Sequence, residues 1–263
     1  MCNQKPELNQ KPDKNAPIGV FDSGVGGLTV AREIMRQMPE ERIVYFGDTA
    51  RVPYGSKSQD TIIRYSRQII RFLMTKHVKA IVIACNTASA YALATVEKEF
   101  DVPIIGVIRA GARTAVQVTR NGKIGVIATE GTIGSGIYTQ EIKKLRPDIE
   151  VTGKPCPLFV PLVEEGLLHD SVTDEIASRY LSSLKSRFVD TLVLGCTHYP
   201  LIRSTLGRLM GNDVTLVNPA YETAIELRDL LQKYGLSCDE ENTGGEKYQF
   251  FVSDQTEKFT AFA

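Results

Sequence analysis

Ile81-Val82-Ile83-Ala84-Cys85-Asn86-Thr87 and Leu192-Val193-Leu194-Gly195-Cys196-Thr197-His198 read as one stretch written twice. Each is an aliphatic, β-branched run that predicts a buried strand, and each ends on a small residue, a cysteine and hydrogen-bonding side chains. In an open α/β sheet, ligands sit at the carboxyl ends of the strands. Two such ends, each delivering a thiol, predict a site with a cysteine on either side.

The surrounding chain repeats the same plan. Ile18-Gly19-Val20-Phe21 predicts a first strand, followed by the turn Asp22-Ser23-Gly24-Val25-Gly26-Gly27 and a helix to about Met38. Strand, glycine-rich turn and helix make an anion-binding geometry. The turn is neither GxGxxG nor a P-loop, which argues against a nucleotide cofactor. Asp22 beside such a turn fits an ammonium partner or proton transfer, or else a helix N-cap. Ile43–Phe46 predicts a second strand, entering the loop Gly47-Asp48-Thr49-Ala50-Arg51-Val52-Pro53-Tyr54-Gly55. Ser58–Lys76 predicts an amphipathic helix. After the Cys85 strand, Asn86 or Ser89 is expected to cap a helix running through Glu97. Val102–Val107 predicts a fourth strand, and a helix follows at about 110–119.

Ile124-Gly125-Val126-Ile127-Ala128-Thr129-Glu130-Gly131 then restarts the pattern, and Gly19 to Cys85 and Gly125 to Cys196 span similar lengths. This predicts an internally duplicated α/β unit. In the second copy, 160–166 (Val-Pro-Leu-Val-Glu-Glu-Gly) predicts a loop or strand end carrying Glu164 and Glu165, before a helix over 173–188. Pro200 opens another helix, Val214–Val217 is a strand, Thr223–Tyr234 a helix and Tyr248–Ser253 a last strand, with the chain stopping shortly into an apparent helix.

Bulk composition narrows the function. The 263 residues are 43% hydrophobic and 24% charged, ordinary for a globular protein. Thirty-one basic and 31 acidic residues give zero formal charge, which argues against nucleic acid or an acidic membrane as partner. No apolar run approaches the roughly 18 residues that span a bilayer. The polar N-terminus holds no signal-peptide core, so a cytoplasmic location is expected. Five scattered cysteines without CxxC spacing are then expected as free thiols; Cys2, Cys156 and Cys238 have no polar company, and His77 and His169 carry no motif.

Four chemistries compete for Cys85 and Cys196. A metal site lacks zinc-ligand spacing, and a redox pair lacks CxxC. A covalent nucleophile with His198 as base leaves one cysteine idle. Two-base proton transfer uses both: one thiolate removes a proton from carbon, and the other thiol returns one to the opposite face. Both cysteines lie near a following helix N-terminus, which is expected to lower their pKa.

Gly19–Gly27, Gly47-Asp48-Thr49-Ala50, Pro53-Tyr54-Gly55, Ala84–Ala88 and Gly195–Pro200, in this order, resemble the glutamate racemases of the aspartate/glutamate racemase family. The resemblance covers about 17–263. It implies interconversion of L- and D-glutamate without pyridoxal phosphate, other cofactor or metal, supplying D-glutamate for peptidoglycan. It implies Cys85 as the base on D-glutamate and Cys196 as the base on L-glutamate, with Asp22 supporting Cys85, His198 supporting Cys196, and Asp48 and Glu164 as further acids. Substrate contacts are implied for Ser23, Pro53, Tyr54, Gly55, Asn86, Thr87, Thr129, Thr132 and Thr197, beside Asp22, Cys85, Cys196 and His198.

The implied fold is two similar α/β domains with mainly parallel sheets, related by a pseudo-twofold duplication, with the site in the cleft between them. After a disordered tail over 1–15, 16–108 plus 218–263 form the first domain and 109–217 the second. Apolar side chains at the cleft are expected to exclude water. Family members commonly form homodimers, and some respond to a peptidoglycan precursor or bind DNA gyrase. The rivals are a racemase of another acidic amino acid, and a binding protein that keeps the cleft without turnover.

Overall fold

The structure, a computed structural model, describes residues 13–238 and 246–254. Residues 1–12 of the expected tail and the expected terminal helix lie outside them. Residues 13–15 form a turn, with Asn15 N–H donating to Asp13 Oδ1 at 2.9 Å and Lys79 Nζ to the Lys14 carbonyl at 2.5 Å.

The first half runs β1 (Ile18–Asp22), α1 (Leu28–Gln37), β2 (Ile43–Gly47), α2 (Gln59–Met74), β3 (Ala80–Ile83), α3 (Asn86–Tyr91), α4 (Leu93–Glu99) and β4 (Ile104–Gly106). Helix α5 (Val107–Val118) leads to β5 (Lys123–Ala128), α6 (Glu130–Gly134), α7 (Ile137–Leu145), β6 (Glu150–Pro155), α8 (Phe159–Glu164), α9 (Ser171–Lys185), β7 (Thr191–Gly195), α10 (Arg203–Met210) and β8 (Thr215–Val217). Then α11 (Pro219–Tyr234) and β9 (Tyr248–Val252) close the described chain.

The sheets have orders β4-β3-β1-β2-β9 and β8-β7-β5-β6, and every described pairing is parallel. Position by position, β4, β3, β1 and β2 correspond to β8, β7, β5 and β6. The duplication read from the sequence is thus present in the topology, with β9 an added edge strand beside β2.

Continuous apolar runs suit strands covered on both faces. In the first sheet, Ile18, Val20, Ile43 and Tyr45 point into a core with α1 and α11, while Phe21, Val44, Ile81 and Ile83 point into another with α2 and α4. That alternation is the period of two of an extended chain. The second sheet packs α8, α9 and α10 on one face and α5 and α7 on the other. Helix α5 touches α3, α7, α11 and β7, so it joins the halves.

Two expectations fail locally. Residues 159–164 are helix rather than loop, because Pro161 falls in the first turn, where a missing N–H costs no intrahelical bond. Neither Asn86 nor Ser89 caps the helix after Cys85. Cys85 itself occupies the N-cap position, the helix breaks at Ala92, and the Ser89 hydroxyl donates to the Ile83 carbonyl and accepts from Val107 N–H.

At the opposite end of each sheet a buried ion holds the chain entering the first strand of its half. Lys79 pairs with Glu41, both buried, while Glu41 Oε1 also accepts from Cys238 N–H at 3.0 Å. At the equivalent position of the second half, Asp190 accepts from Thr119 Oγ1, Arg120 N and Asn121 N, each at 2.7 Å, and from Thr191 Oγ1. Burial alone raises the Asp190 pKa, but these donors outweigh it and hold it below the usual carboxylate value. A depressed folded-state pKa adds stability above the unfolded value and loses it as pH falls through the folded value. Asp190→Ala is therefore expected to cost about 1–3 kcal/mol at neutral pH, with the gap to wild type closing below about pH 4. Urea midpoints at pH 7 and pH 3 measure this; an equal gap at both refutes it.

Candidate active site

Parallel strands put their carboxyl ends on one edge, so β1, β2 and β3 deliver Asp22, Asp48 and Cys85 together, and β5 and β7 deliver Thr129 and Cys196. The two edges face each other and touch. Thr197 Oγ1 donates to Asp22 Oδ1 at 3.2 Å. Thr87 Oγ1 lies 2.9 Å from Thr129 Oγ1 and 3.1 Å from Thr132 Oγ1, and the last two are 3.0 Å apart. A Cβ on Gly26 would come within 2.5 Å of Thr197 Oγ1 and 2.7 Å of His198 Nδ1. Only glycine lets the first loop press that closely on the second cysteine's loop.

Asp22 is not the N-cap of α1, a position that Gly27 holds, but it ties the turn that leads into that helix. Its Oδ2 accepts from Gly24 N–H at 3.0 Å and Gly27 N–H at 3.1 Å, closing the turn before α1, and its Oδ1 faces Thr197. It is fully buried, and desolvation raises its pKa, against the lowering influence of His198 and its hydrogen bonds.

Each thiol has its own polar neighbour. Cys85 Sγ lies 3.7 Å from Ser23 Oγ, and Cys196 Sγ lies 3.7 Å from His198 Nδ1. His198 Nε2 in turn lies 2.6 Å from Glu164 Oε1, while Glu165 is exposed at the end of α8. This chain orients the imidazole toward the thiol. Burial pulls the His198 pKa down, but the hydrogen bonds to Cys196 and Glu164 and the charge of Asp22 raise it to about 10. These contacts favour the imidazolium form.

Cys85 departs from expectation. Burial and then the Asp22 carboxylate push its thiol up to about 12, against the lowering bonds from Ala88 N–H and Ser23. The helix N-terminus is present, but desolvation outweighs it.

Asp48 reaches the same edge but is engaged inside its own loop. The Tyr54 hydroxyl donates to its Oδ2, and Arg51 Nη1 lies 3.5 Å from that oxygen. Pro53 is exposed beside it, after a cis Val52–Pro53 peptide. Gly55 lies against Thr129 across the divide. Both thiols are nearly closed off from solvent, with Cys85 5% and Cys196 7% exposed, and the small space beside Cys196 is walled by Val107 and Leu194 as well as by Asn86 and Thr197.

Two tyrosines escaped the sequence reading. The Tyr45 hydroxyl donates to the Gly24 carbonyl at 2.8 Å beneath the glycine turn, and the Tyr138 hydroxyl donates to Asn86 Oδ1 at 2.7 Å from the other half. In the sequence each reads as core; strand alternation and helical spacing explain both without a polar partner. His77 and His169 are exposed, Cys156 is buried, and the buried Cys238 thiol lies 3.5 Å from Asn15 Oδ1. Among the described residues no cluster of three or more His, Cys, Asp or Glu is arranged to hold a metal, and no helix is long and apolar enough to cross a membrane.

The profile of the family described as Asp/Glu/Hydantoin racemase matches residues 18–225. A glutamate racemase of Geobacter metallireducens is 51% identical over 237 residues, covering 90% of this chain and 87% of that protein. The crystal structure of glutamate racemase isoform RacE1 from Bacillus anthracis superposes with a TM-score of 0.91 at 43% identity, covering 95% of this chain and 93% of its own. A Francisella tularensis glutamate racemase, crystallised in complex with D-glutamate, gives 0.87 at 41% identity, covering 95% and 92%.

Proposed function

The chain belongs to the Asp/Glu/Hydantoin racemase family, as an isomerase of the glutamate racemase type, and from that premise we propose that it inverts glutamate with two cysteines as opposed bases. One observation carries the mechanism: pseudo-equivalent strand ends bring two buried thiols to facing sheet edges, each beside its own polar partner.

Cys85 Sγ as thiolate takes the α-proton of D-glutamate, and Cys196 Sγ–H returns one to the opposite face; from L-glutamate the roles reverse. Proton count is conserved, since one thiol gains what the other loses. The charge developing at the α-carbon lies where water is excluded and fixed dipoles act strongly. Burial and the Asp22 carboxylate favour the protonated Cys85 thiol. A substrate ammonium brought beside Asp22 offsets that negative field and makes the thiolate accessible. His198, held by Glu164, plays the corresponding part at Cys196. Ser23, Asn86, Thr87, Thr129, Thr132 and Thr197 supply hydroxyl and amide groups for the two carboxylates, with Tyr54, Gly55 and Pro53 at the margin and Asp48 holding their loop.

The division into 16–108 plus 218–263 and 109–217, a homodimer, a cytoplasmic location and supply of D-glutamate to peptidoglycan belong to the same reading. Incubation of dialysed protein with L- or D-glutamate in D2O tests it. Circular dichroism is expected to decay to zero from either enantiomer, with deuterium entering the α-position. Glutamate left untouched while aspartate inverts would move the substrate assignment; neither reacting would leave a binding protein.

A further inference from the structure

Tyr138 stands where the two halves are joined. It lies on α7 of the second half and is almost fully buried, yet its hydroxyl donates to Asn86 Oδ1, the residue after Cys85 in the first half. Its ring lies over the residue before the other cysteine: a Cβ on Gly195 would come within 3.2 Å of Tyr138 Cε2. A Cβ on Gly111, in the joining helix α5, would come within 3.3 Å of its hydroxyl. One side chain therefore touches the neighbours of both thiols and the helix between the halves.

The chemistry of the contact is directional. An amide whose oxygen is occupied turns its two N–H donors the other way, and Asn86 borders, with Cys196, Thr197, Val107 and Leu194, a water-sized space of about 10 Å³. Burial and the nearby Cys196 push the phenol pKa well up, so it stays a donor throughout the working range.

We propose that Tyr138 is a positioning residue for the inversion, fixing the Asn86 amide so that its N–H donors meet the substrate beside Cys85, while its ring sets the Cys196 strand end at the same place. This rests on the racemase reading and goes beyond it by assigning a residue outside the loops that carry the site.

Removing only the hydroxyl separates the two parts. Tyr138→Phe keeps the ring on Gly195 and frees the amide to turn over. KM for both enantiomers is expected to rise about tenfold with kcat nearly unchanged, as for a lost contact that ground and transition states share. D-glutamate affinity by calorimetry should fall by the same factor. Tyr138→Ala also loses the ring, and kcat is expected to fall with it. In an Asn86→Ala background, Tyr138→Phe should have no further effect on KM. A purely structural tyrosine predicts a lower melting temperature with wild-type KM, and that result, or full additivity with Asn86→Ala, overturns the proposal while leaving the racemase reading standing. Wild-type protein that binds D-glutamate without inverting it overturns the racemase reading; affinity unchanged in Tyr138→Phe would then overturn the positioning role as well.

Discussion

Cys85→Ser and Cys196→Ser each lower glutamate inversion by about 10²- to 10⁴-fold, the worth of a positioned acid–base group. Serine is nearly isosteric, and both sites are buried at loop ends held by other contacts, so melting temperatures stay near wild type. The hydroxyl is a far weaker acid than the thiol and supplies almost no anion. The two variants should also differ in direction. Cys85→Ser retains the base for L-glutamate, so L-glutamate still exchanges its α-proton in D2O without inverting while D-glutamate is inert; Cys196→Ser shows the mirror pattern. Deuterium uptake by NMR beside the dichroism decay reads both. Inversion at the wild-type rate in either variant excludes two-base catalysis by these thiols.

Lys79→Met is expected to destabilise the fold by about 3–5 kcal/mol, because it strands the buried Glu41 carboxylate without its counter-ion. That is a large share of the roughly 5–15 kcal/mol that holds a domain together. Adding Glu41→Gln removes the stranded charge and keeps an acceptor for Cys238 N–H, so the double variant should regain the larger part of the loss. Urea midpoints measure both. A single variant within about 1 kcal/mol of wild type would mean that the charge finds water or a proton on its own.

The sheets were legible because the signal is local and repeated. Ile81–Cys85 and Leu192–Cys196 declare buried strands by composition, and their similar spacing from Gly19 and Gly125 declares the duplication. The arrival of Asp22, Asp48 and Cys85 at one sheet edge was legible for the same reason. What escaped depends on contacts between residues distant in sequence. Tyr138 lies four residues before Ile142 on α7 and reads as core; its polar partner is distant in sequence. The Cys85 thiol follows the same logic: its helix N-terminus is visible in the sequence, but the burial and the Asp22 charge that override it exist only once the strands are assembled. The stretch 160–166 reads as a loop or strand end because the place of Pro161 in a first turn depends on where α8 begins.

Strand β9 joins the first sheet beside β2 after the whole second half has been made. On the ribosome, β2 therefore waits with an open edge while roughly 200 residues are added, about 10–40 s at ordinary elongation rates. Throughout that interval Ile43–Gly47 offers unpaired backbone groups to any extended segment nearby. The second sheet has no such debt, since β5 to β8 are contiguous in synthesis. The chain thus finishes its second sheet before its first, and nascent protein is most exposed to chaperones and to mispairing at β2.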